Sequence, residues 1–192
     1  FFTALLALTG LAVGWAAYSY LAVAPAGKAF GAPFELVDQN GQAITEKAFQ
    51  GHPTALFFGF THCPQVCPTT LFEMNGWFEK LGKDGEVIKA YFVTVDPERD
   101  DPAKLAAYVR FFDPTFHGAT GDAQSVAAAA KAFGVPFARV SLPEGGYTMD
   151  HGSGVFFVAP TGAIAAYSAA PHDAAVLARD YRKVVSDAQA RR

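Results

Sequence analysis

The sequence predicts an α/β fold in which a β-sheet is layered with helices, and three features of the 192-residue chain lead to this prediction. Apolar runs of strand length alternate with longer segments whose apolar residues recur at helical spacing, as in layered α/β domains. One run, Ala55–Phe60, is apolar throughout, as expected of a strand buried on both faces of a sheet. The segment after it carries prolines and then apolar residues at helical spacing.

The chain opens with a long uncharged segment. No charged residue occurs before Lys28, and residues 1–24 would span about 36 Å as a helix, enough to cross a hydrocarbon core of about 30 Å. We therefore expect a transmembrane anchor over 1–24, a linker over 25–32 and one domain over 33–192. A cleaved secretory signal ending at Ala22-Val23-Ala24 is the alternative. Either interpretation carries the domain across a membrane. The expected location is the bacterial inner membrane facing the periplasm, with the mitochondrial inner membrane facing the intermembrane space as the alternative.

The domain is predicted to begin with a β-hairpin and then a buried strand. Pro33–Asp38 and Ala43–Thr45 flank Asn40-Gly41, which is a strong hairpin turn signal. The buried strand is expected over Thr54–Phe60. The hairpin is therefore an N-terminal extension of the layered sheet.

The next predicted element is a helix over Pro68–Leu81. Proline disfavours helical geometry in the residue before it and is favoured at the first helical position. We therefore expect a turn over Cys63–Val66, with Cys67 close to the helix cap. The apolar residues that would share the buried face are Leu71, Met74, Trp77, Phe78 and Leu81.

The remaining elements alternate in the same way. They are predicted as a break at Lys83–Gly85, a strand over Val87–Val95, a helix over Pro102–Phe112, a short strand over Phe116–Thr120, a helix capped by Asp122 and ending at Phe133-Gly134, strands over Phe137–Leu142, Val155–Val158 and Ala163–Ser168, and a closing helix over Pro171–Ala190. A strand, a dithiol, a helix, a late hairpin and a terminal helix together are typical of a thioredoxin-like fold.

The charge of the chain argues against nucleic-acid binding. The formal net charge is −3 and the isoelectric point is about 5.9. Lysines and arginines are not clustered, except for Arg191-Arg192 at the end of the sequence.

The two cysteines of the chain, Cys63 and Cys67, lie four residues apart at the predicted strand-to-helix junction. Unpaired N–H groups and the positive dipole at a helix N-terminus favour thiolate over thiol, which improves a sulfur both as a metal ligand and as a nucleophile. Two buried cysteines acting as small apolar residues are the alternative. Their position beside prolines favours a functional dithiol, which forms either a disulfide or part of a metal site.

Three motifs give the chain its resemblance to a known family. They are Phe58-Gly59-Phe60-Thr61-His62-Cys63-Pro64-Gln65-Val66-Cys67-Pro68, Thr94-Val95-Asp96-Pro97-Glu98-Arg99-Asp100 and Tyr147-Thr148-Met149-Asp150-His151. In order and spacing they resemble the SCO/SenC family of membrane-anchored, thioredoxin-fold copper proteins that serve the assembly of cytochrome c oxidase. The resemblance extends from about Phe34 to the last helix, and also to the anchor. Gln65 stands where the family usually has Asp, and Gly152 where it usually has Ser, and neither change removes a ligand.

The resemblance implies that Cys63, Cys67 and His151 bind one copper ion, as Cu(I), Cu(II) or both. The residues themselves indicate a three-ligand, open site, because thiolates and imidazole suit Cu(I), Zn(II) and Cu(II), and a closed structural zinc site has four protein ligands. His151 precedes the Val155–Val158 strand, in the loop that faces the dithiol in thioredoxin-like folds, and Asp150 is expected to orient its ring.

Other candidate residues are given lesser roles. His62 is expected to point away from the site, and Met149 to be a side chain at a strand end. The three remaining histidines are predicted to lie on the surface: His52, His117 and His172. The acidic residues at 96, 98, 100 and 101 either cap and solvate a helix start or shape the loop beside the metal, and the sequence leaves both open.

Two functions from different classes follow. The first is a copper metallochaperone that delivers copper to the dicopper CuA site of cytochrome c oxidase subunit II, with other copper chaperones as further partners. The second is a thiol–disulfide oxidoreductase that reduces the cysteines of the acceptor, with Cys63 and Cys67 as its catalytic redox pair. The sequence does not decide whether the protein is also an enzyme.

Overall fold

The computed structural model describes residues 33–170, 172, 179, 181 and 182. The strands of this part of the chain are β1 (Glu35–Asp38), β2 (Ala43–Thr45), β3 (Thr54–Gly59), β4 (Lys89–Thr94), β5 (His117–Thr120), β6 (Phe137–Ser141), β7 (Tyr147–His151), β8 (Val155–Val158) and β9 (Ile164–Ser168). The helices are a 3₁₀ helix (Glu46–Phe49), α1 (Val66–Leu81), α2 (Lys83–Glu86), α3 (Pro102–Phe112) and α4 (Ala123–Phe133).

Seven of these strands form one mixed sheet in the order β2-β1-β5-β4-β3-β8-β9. The central strands β3, β4 and β5 are parallel, and α1 and α3 connect them. The N-terminal hairpin adds to one side, antiparallel to β5, and the hairpin of β8 and β9 adds to the other side, antiparallel to β3. Strands β6 and β7 form a separate two-stranded sheet.

The core lies on both faces of the central strands. All six residues of β3 are buried, as predicted from its apolar run. Helix α1 buries residues that share one face: Cys67, Thr70, Leu71, Met74, Trp77 and Leu81. The thioredoxin-like α/β arrangement, with its hairpin extension, is therefore as predicted.

Local capping explains why several predicted bounds agree with the structure. Helix α3 spans Pro102–Phe112 as predicted, because the carboxylate of Asp101 accepts a hydrogen bond from the amide of Lys104 at 2.9 Å. Helix α4 is capped in the same way by Asp122 and ends at Gly134, whose φ of 69° lies in the left-handed region that glycine adopts without strain.

Helix α1 begins at Val66, two residues before the predicted start. Proline is tolerated throughout the first helical turn, because the N–H groups there have no partner within the helix. Pro68 therefore lies inside the first turn, and Cys67 is the second helical residue instead of a cap.

The sequence missed strand β7 and the short helix α2, which occupies the predicted break at residues 83–85. Strand β7 pairs antiparallel with β6, so that His151 lies opposite Phe137. The predicted loop around His151 is thus the end of a hairpin. Residues 179, 181 and 182 are helical, within the predicted closing helix, whose bounds lie outside the described residues.

The predicted fold class is corrected in one respect, the transmembrane helix over residues 1–24. A span needs about 20 apolar residues, and no helix within the described residues is long and apolar enough to cross a membrane. Residues 1–24 and the predicted linker over 25–32 lie outside the described part of the chain. The division of the chain into an anchor, a linker and a domain stays a prediction.

Candidate metal centre

Three potential metal ligands converge at one end of α1. The sulfurs of Cys63 and Cys67 and one ring nitrogen of His151 all lie within 4.8 Å of one another. Nε2 of His151 is 3.5 Å from Sγ of Cys67. Both cysteines are buried free thiols, and His151 is half-buried. Within the described residues this is the one set of three such groups that lie so close. The three predicted site residues are therefore brought together.

The position of Cys67 depends on close packing between α1 and β3. Cys67 is fully buried and its sulfur faces Gly59 at the end of β3. A Cβ atom on Gly59 would lie 2.8 Å from the Cys67 sulfur and 2.8 Å from the ring of Phe92. Only glycine leaves room for the sulfur at this point of the strand.

Replacing Gly59 with alanine is therefore expected to displace the Cys67 sulfur. We expect the affinity for a soft metal ion to fall about tenfold, as for other changes that misplace a ligand, and the free energy of unfolding to fall by about 1–3 kcal/mol through overpacking. Competition with a chromophoric chelator and denaturant unfolding measure the two effects. Gly76→Ala is the control, because nothing lies within 4 Å of its added Cβ. Equal metal affinity in the two variants would contradict this account of Gly59.

Cys63 is positioned by the turn that follows β3. Its amide donates to the carbonyl of Phe60 at 3.2 Å. Thr61, two residues before Cys63, is fixed by Asp100. This fully buried carboxylate accepts hydrogen bonds from the amide and the hydroxyl of Thr61 at 2.9 and 2.5 Å. Thr94 donates to the same carboxylate at 2.7 Å. Asp100 thus ties the loop that carries Cys63 to the end of β4.

The environment of the dithiol separates the protonation states of the two cysteines. The Cys67 thiol donates to the sulfur of Cys63, and His151 and the Cys67 amide add to this stabilisation, so that the pKa of Cys63 is lowered to about 4 in spite of burial. The same hydrogen bond from the Cys67 thiol, together with burial, raises the pKa of Cys67. Cys63 is therefore a thiolate at neutral pH, poised to bind a metal or to attack a disulfide.

His151 is held at the end of β7 by its backbone and by aromatic rings. Its Nδ1 lies 2.9 Å from the carbonyl oxygen of Gly152, which leaves Nε2 directed at the sulfurs. The rings of Phe57 and Phe60 contact the imidazole edge-on, with centroids 6.1 and 5.7 Å away. Burial lowers the pKa of His151, but the hydrogen bond with Cys63 and the Gly152 carbonyl outweigh it, and the pKa is raised overall.

Two expectations about neighbouring residues need correction. Asp150, expected to orient the imidazole, is exposed, and the Gly152 carbonyl takes that role. The Gly152 carbonyl lies within hydrogen-bond distance of Nδ1, and a metal-binding histidine commonly donates its second ring N–H to a backbone carbonyl. The three histidines expected on the surface (His52, His117 and His172) are all half-buried. His117 stacks on Tyr91, and His172 contacts Trp77 and Ser168.

Of two other expectations near the site, the one about His62 agrees with the structure. His62 is exposed, and its Nδ1 lies 3.1 Å from the Thr61 hydroxyl, turned toward Asp100 instead of the sulfurs. The position of Met149 differs from the expectation, because it lies in the middle of β7 instead of at a strand end, and its side chain packs partly against the core. The donors border an open groove of about 320 Å³, lined by Phe60, Cys63, Pro64, Gln65, Val66, Thr148, Met149, Asp150 and His151. A molecule in this groove reaches Cys63 and His151 directly.

The donor set fits a soft or borderline metal ion. A late first-row ion lies about 2.3 Å from sulfur and about 2.0 Å from imidazole nitrogen, so two donors on one ion are at most about 4.6 Å apart. The three donors lie within 4.8 Å of one another, which is close to this limit. Two sulfurs and one imidazole leave the groove side open, which suits an ion that arrives and leaves.

The acidic residues after β4 divide between the two roles that the sequence left open. Asp101 caps α3, whereas Asp100 and Asp96 are buried. Asp96 accepts a hydrogen bond from the Tyr147 hydroxyl at 2.9 Å and pairs with Arg99. Sequence reasoning missed these contacts of Tyr147 and Arg99. The signal that was present is their position within the two motifs that also hold Asp96 and His151.

Comparison with known proteins adds to this geometry. A family model described as SCO1/SenC matches residues 23–186. An SCO2-like protein of Rickettsia felis is 37% identical over 134 residues, which cover 69% of this chain and 65% of that protein. The mitochondrial SCO2 homolog of Danio rerio is 40% identical over 132 residues, 67% of this chain and 47% of that protein. The match thus spans about half to two thirds of these relatives.

A solved structure resembles most of the chain. The ScoI protein of Bradyrhizobium japonicum with copper bound is 39% identical and superposes with a TM-score of 0.73, covering 82% of this chain and 100% of the other. Identity at this level supports a comparison of sites as well as of folds, and the relative holds copper.

Proposed function

Because the chain belongs to the SCO1/SenC family, we propose that it is a copper carrier which holds one copper ion on Cys63, Cys67 and His151. The observation that carries this proposal is the convergence of the three donors from two distant parts of the chain. Copper is supported as the metal by the similar ScoI protein, which has copper bound. Thiolate and imidazole donors suit copper in both of its common oxidation states.

The finer proposal is delivery of the ion to the dicopper CuA site of cytochrome c oxidase subunit II. It is supported by the resemblance to proteins of oxidase assembly and by the open groove beside the donors. A three-coordinate ion accepts an additional ligand from the acceptor before its own ligands leave. Transfer is then favoured when the acceptor offers more soft ligands than the carrier. The proposed compartment is the bacterial periplasm, with the mitochondrial intermembrane space as its chemical equivalent.

A thiol–disulfide oxidoreductase is the second candidate, and the protonation states of the two cysteines favour it. The Cys63 thiolate attacks one sulfur of an acceptor disulfide, and the other acceptor sulfur leaves as a thiolate. Cys67 then loses its proton and displaces the acceptor from Cys63. The acceptor gains two electrons and the proton from Cys67, its second thiolate takes a proton from water, and the carrier becomes the Cys63–Cys67 disulfide. The two functions are compatible, because copper does not bind a disulfide.

Metal analysis of the reduced protein tests the copper proposal. We expect one copper ion per chain and an X-ray absorption spectrum with two sulfur ligands and one imidazole nitrogen, as the three donors require. The protein oxidised to the Cys63–Cys67 disulfide and the Cys63→Ser/Cys67→Ser double variant are the controls, and neither should retain the ion. Copper bound equally by reduced protein and double variant would overturn the proposal. Disulfide reduction without stoichiometric copper would leave the oxidoreductase as the function.

A further inference from the structure

The hairpin that carries His151 is not part of the main sheet. Within the described residues, β6 and β7 pair only with each other. Four of the five residues of β6 are exposed. The place of this hairpin relative to the cysteines is therefore not fixed by strand pairing with the main sheet, and side-chain contacts with the rest of the domain help to hold it.

A tyrosine at the start of β7 makes several of these side-chain contacts. The ring of Tyr147 lies between two guanidinium groups, with the Cζ of Arg99 3.8 Å from the ring centroid and that of Arg139 3.7 Å from it. Its hydroxyl donates to Asp96, and its carbonyl accepts from Nη1 of Arg99 at 3.0 Å. These four residues are called the tyrosine clamp below. A cation over the face of an aromatic ring is attracted by the quadrupole of that ring, so both guanidinium groups stabilise the position of Tyr147.

The clamp joins the hairpin to the rigid body of the domain. Asp96 is 2% exposed, and its amide donates to the hydroxyl of Thr94 at the end of β4. Arg99 pairs with Asp96. Arg139 comes from β6 and also pairs with Glu98, so that both strands of the hairpin are connected to the segment after β4.

The clamp is also connected to the imidazole. Tyr147 and His151 lie four residues apart on one strand, where alternate residues share a face. A strand rises about 3.4 Å per residue, so that a rotation of the hairpin at Tyr147 displaces a ring about 14 Å away. Arg99 also lies 5.7 Å from the centroid of Phe60, the ring that contacts His151 edge-on.

We infer that Tyr147, held between Arg99 and Arg139, is a positioning residue that sets the approach of His151 to the two cysteines. Its release lets the hairpin swing outward and withdraws the imidazole, which leaves the ion on two sulfurs. This inference rests on the proposed copper carrier, because it assigns Tyr147 to that same site. In this inference, Tyr147 determines how long the imidazole of His151 stays bound to the copper ion.

The test compares Tyr147→Leu, Tyr147→Phe and Arg139→Gln with the wild-type protein. Leucine removes both ring–cation contacts, and we expect Cu(I) to dissociate about tenfold faster, which corresponds to about 1.4 kcal/mol. Part of the nitrogen coordination should also be lost from the X-ray absorption spectrum. Phenylalanine keeps both contacts and loses only the hydrogen bond to Asp96, so dissociation should be less than about threefold faster. Arg139→Gln removes one contact and should fall between the two.

The same variants are examined without metal by amide hydrogen exchange. Exchange in β6 and β7 should become faster in Tyr147→Leu, and exchange in β3 and β4 should stay unchanged. Val140→Ala is the matched control, since Val140 is an exposed residue of the same hairpin outside the clamp. It should leave the dissociation rate and the exchange of β7 as they are in the wild-type protein.

The outcomes separate failure of the clamp from failure of the copper proposal. If the wild-type protein binds copper and Tyr147→Leu changes neither its dissociation nor its nitrogen coordination, the inference about Tyr147 is wrong. Faster exchange across β3 and β4 as well as β7 would mean general destabilisation, and it would also overturn the inference. If the wild-type protein binds no copper, the carrier function fails. If Tyr147→Leu does not fold, unchanged dissociation in Arg139→Gln overturns the inference instead.

Discussion

His151→Ala is expected to lower copper affinity more than about 100-fold while leaving disulfide exchange at Cys63 and Cys67 within about twofold of the wild-type rate. Loss of residues that only support a ligand typically costs 10- to 100-fold in metal affinity, and loss of the ligand itself should cost more. Disulfide exchange should survive because Cys63 should remain a thiolate. The largest contribution to its lowered pKa comes from the Cys67 thiol, and the contribution of His151 is smaller. A protein that acted only as an oxidoreductase would not need this imidazole.

His62→Ala is the matched control for this prediction. His62 adjoins Cys63 in sequence, but its ring is exposed and contacts Thr61 and Asp100 instead of the sulfurs. We expect its removal to change copper affinity by less than about threefold, since the ring is not a ligand. Affinity is measured by competition with a chromophoric Cu(I) chelator, and exchange by reduction of a model disulfide. If the two alanine variants bound copper equally well, His151 would not be a ligand.

The ligand set was predictable because it depends on local sequence signals and on the chain order of the fold. Cys63 and Cys67 follow the apolar run of β3, and that strand is buried as its composition predicts. His151 was placed near the sulfurs because the segment before β8 faces the dithiol in thioredoxin-like folds. The structure brings Nε2 of His151 to 3.5 Å from the Cys67 sulfur.

The hairpin that holds His151 was not predictable in the same way. Hydrophobic alternation reveals a strand when one of its faces is buried in a core. All but one of the β6 residues are exposed, and no residue of β7 is fully buried. Tyr147 therefore gives no periodic signal, although its ring is held between two arginines. Contacts between residues about 50 positions apart are invisible to local patterns.

The same limit explains why Asp100 and Asp101 look alike in sequence. Both precede Pro102 and both were expected at the start of a helix. Asp101 is the exposed cap, as predicted from local rules. Asp100 instead turns into the core toward Thr61, which is 39 residues away along the chain. Tertiary packing, and not local sequence, decides between the two roles.

Asp100→Asn is accordingly expected to lower the free energy of unfolding of the reduced apo-protein by about 3 kcal/mol. The carboxylate accepts three hydrogen bonds in a site without solvent, two from Thr61 and one from Thr94. Asparagine keeps one acceptor oxygen and replaces the other with an NH₂ group, so that the hydrogen bonds lose their charge assistance and the bond with the Thr61 hydroxyl must reverse its direction. Each hydrogen bond to a charged group is worth about 1.5–3 kcal/mol. For a domain of this size the midpoint of thermal unfolding should fall by roughly 6–12 °C.

Asp101→Asn is the control, because it makes the same chemical change at an exposed position and so separates the effect of burial from that of the substitution. Asp101 is 54% exposed, and asparagine caps a helix about as well as aspartate does. We expect it to change the stability by less than about 0.5 kcal/mol. Denaturant unfolding of both variants gives the comparison, and equal losses of stability would contradict the assigned role of Asp100.

Because Thr61 lies two residues before Cys63, Asp100→Asn should also loosen the position of the Cys63 sulfur and weaken copper binding, whereas Asp101→Asn should leave copper binding intact. Stability lost without any loss of affinity would show that the carboxylate supports the fold and not the geometry of the site.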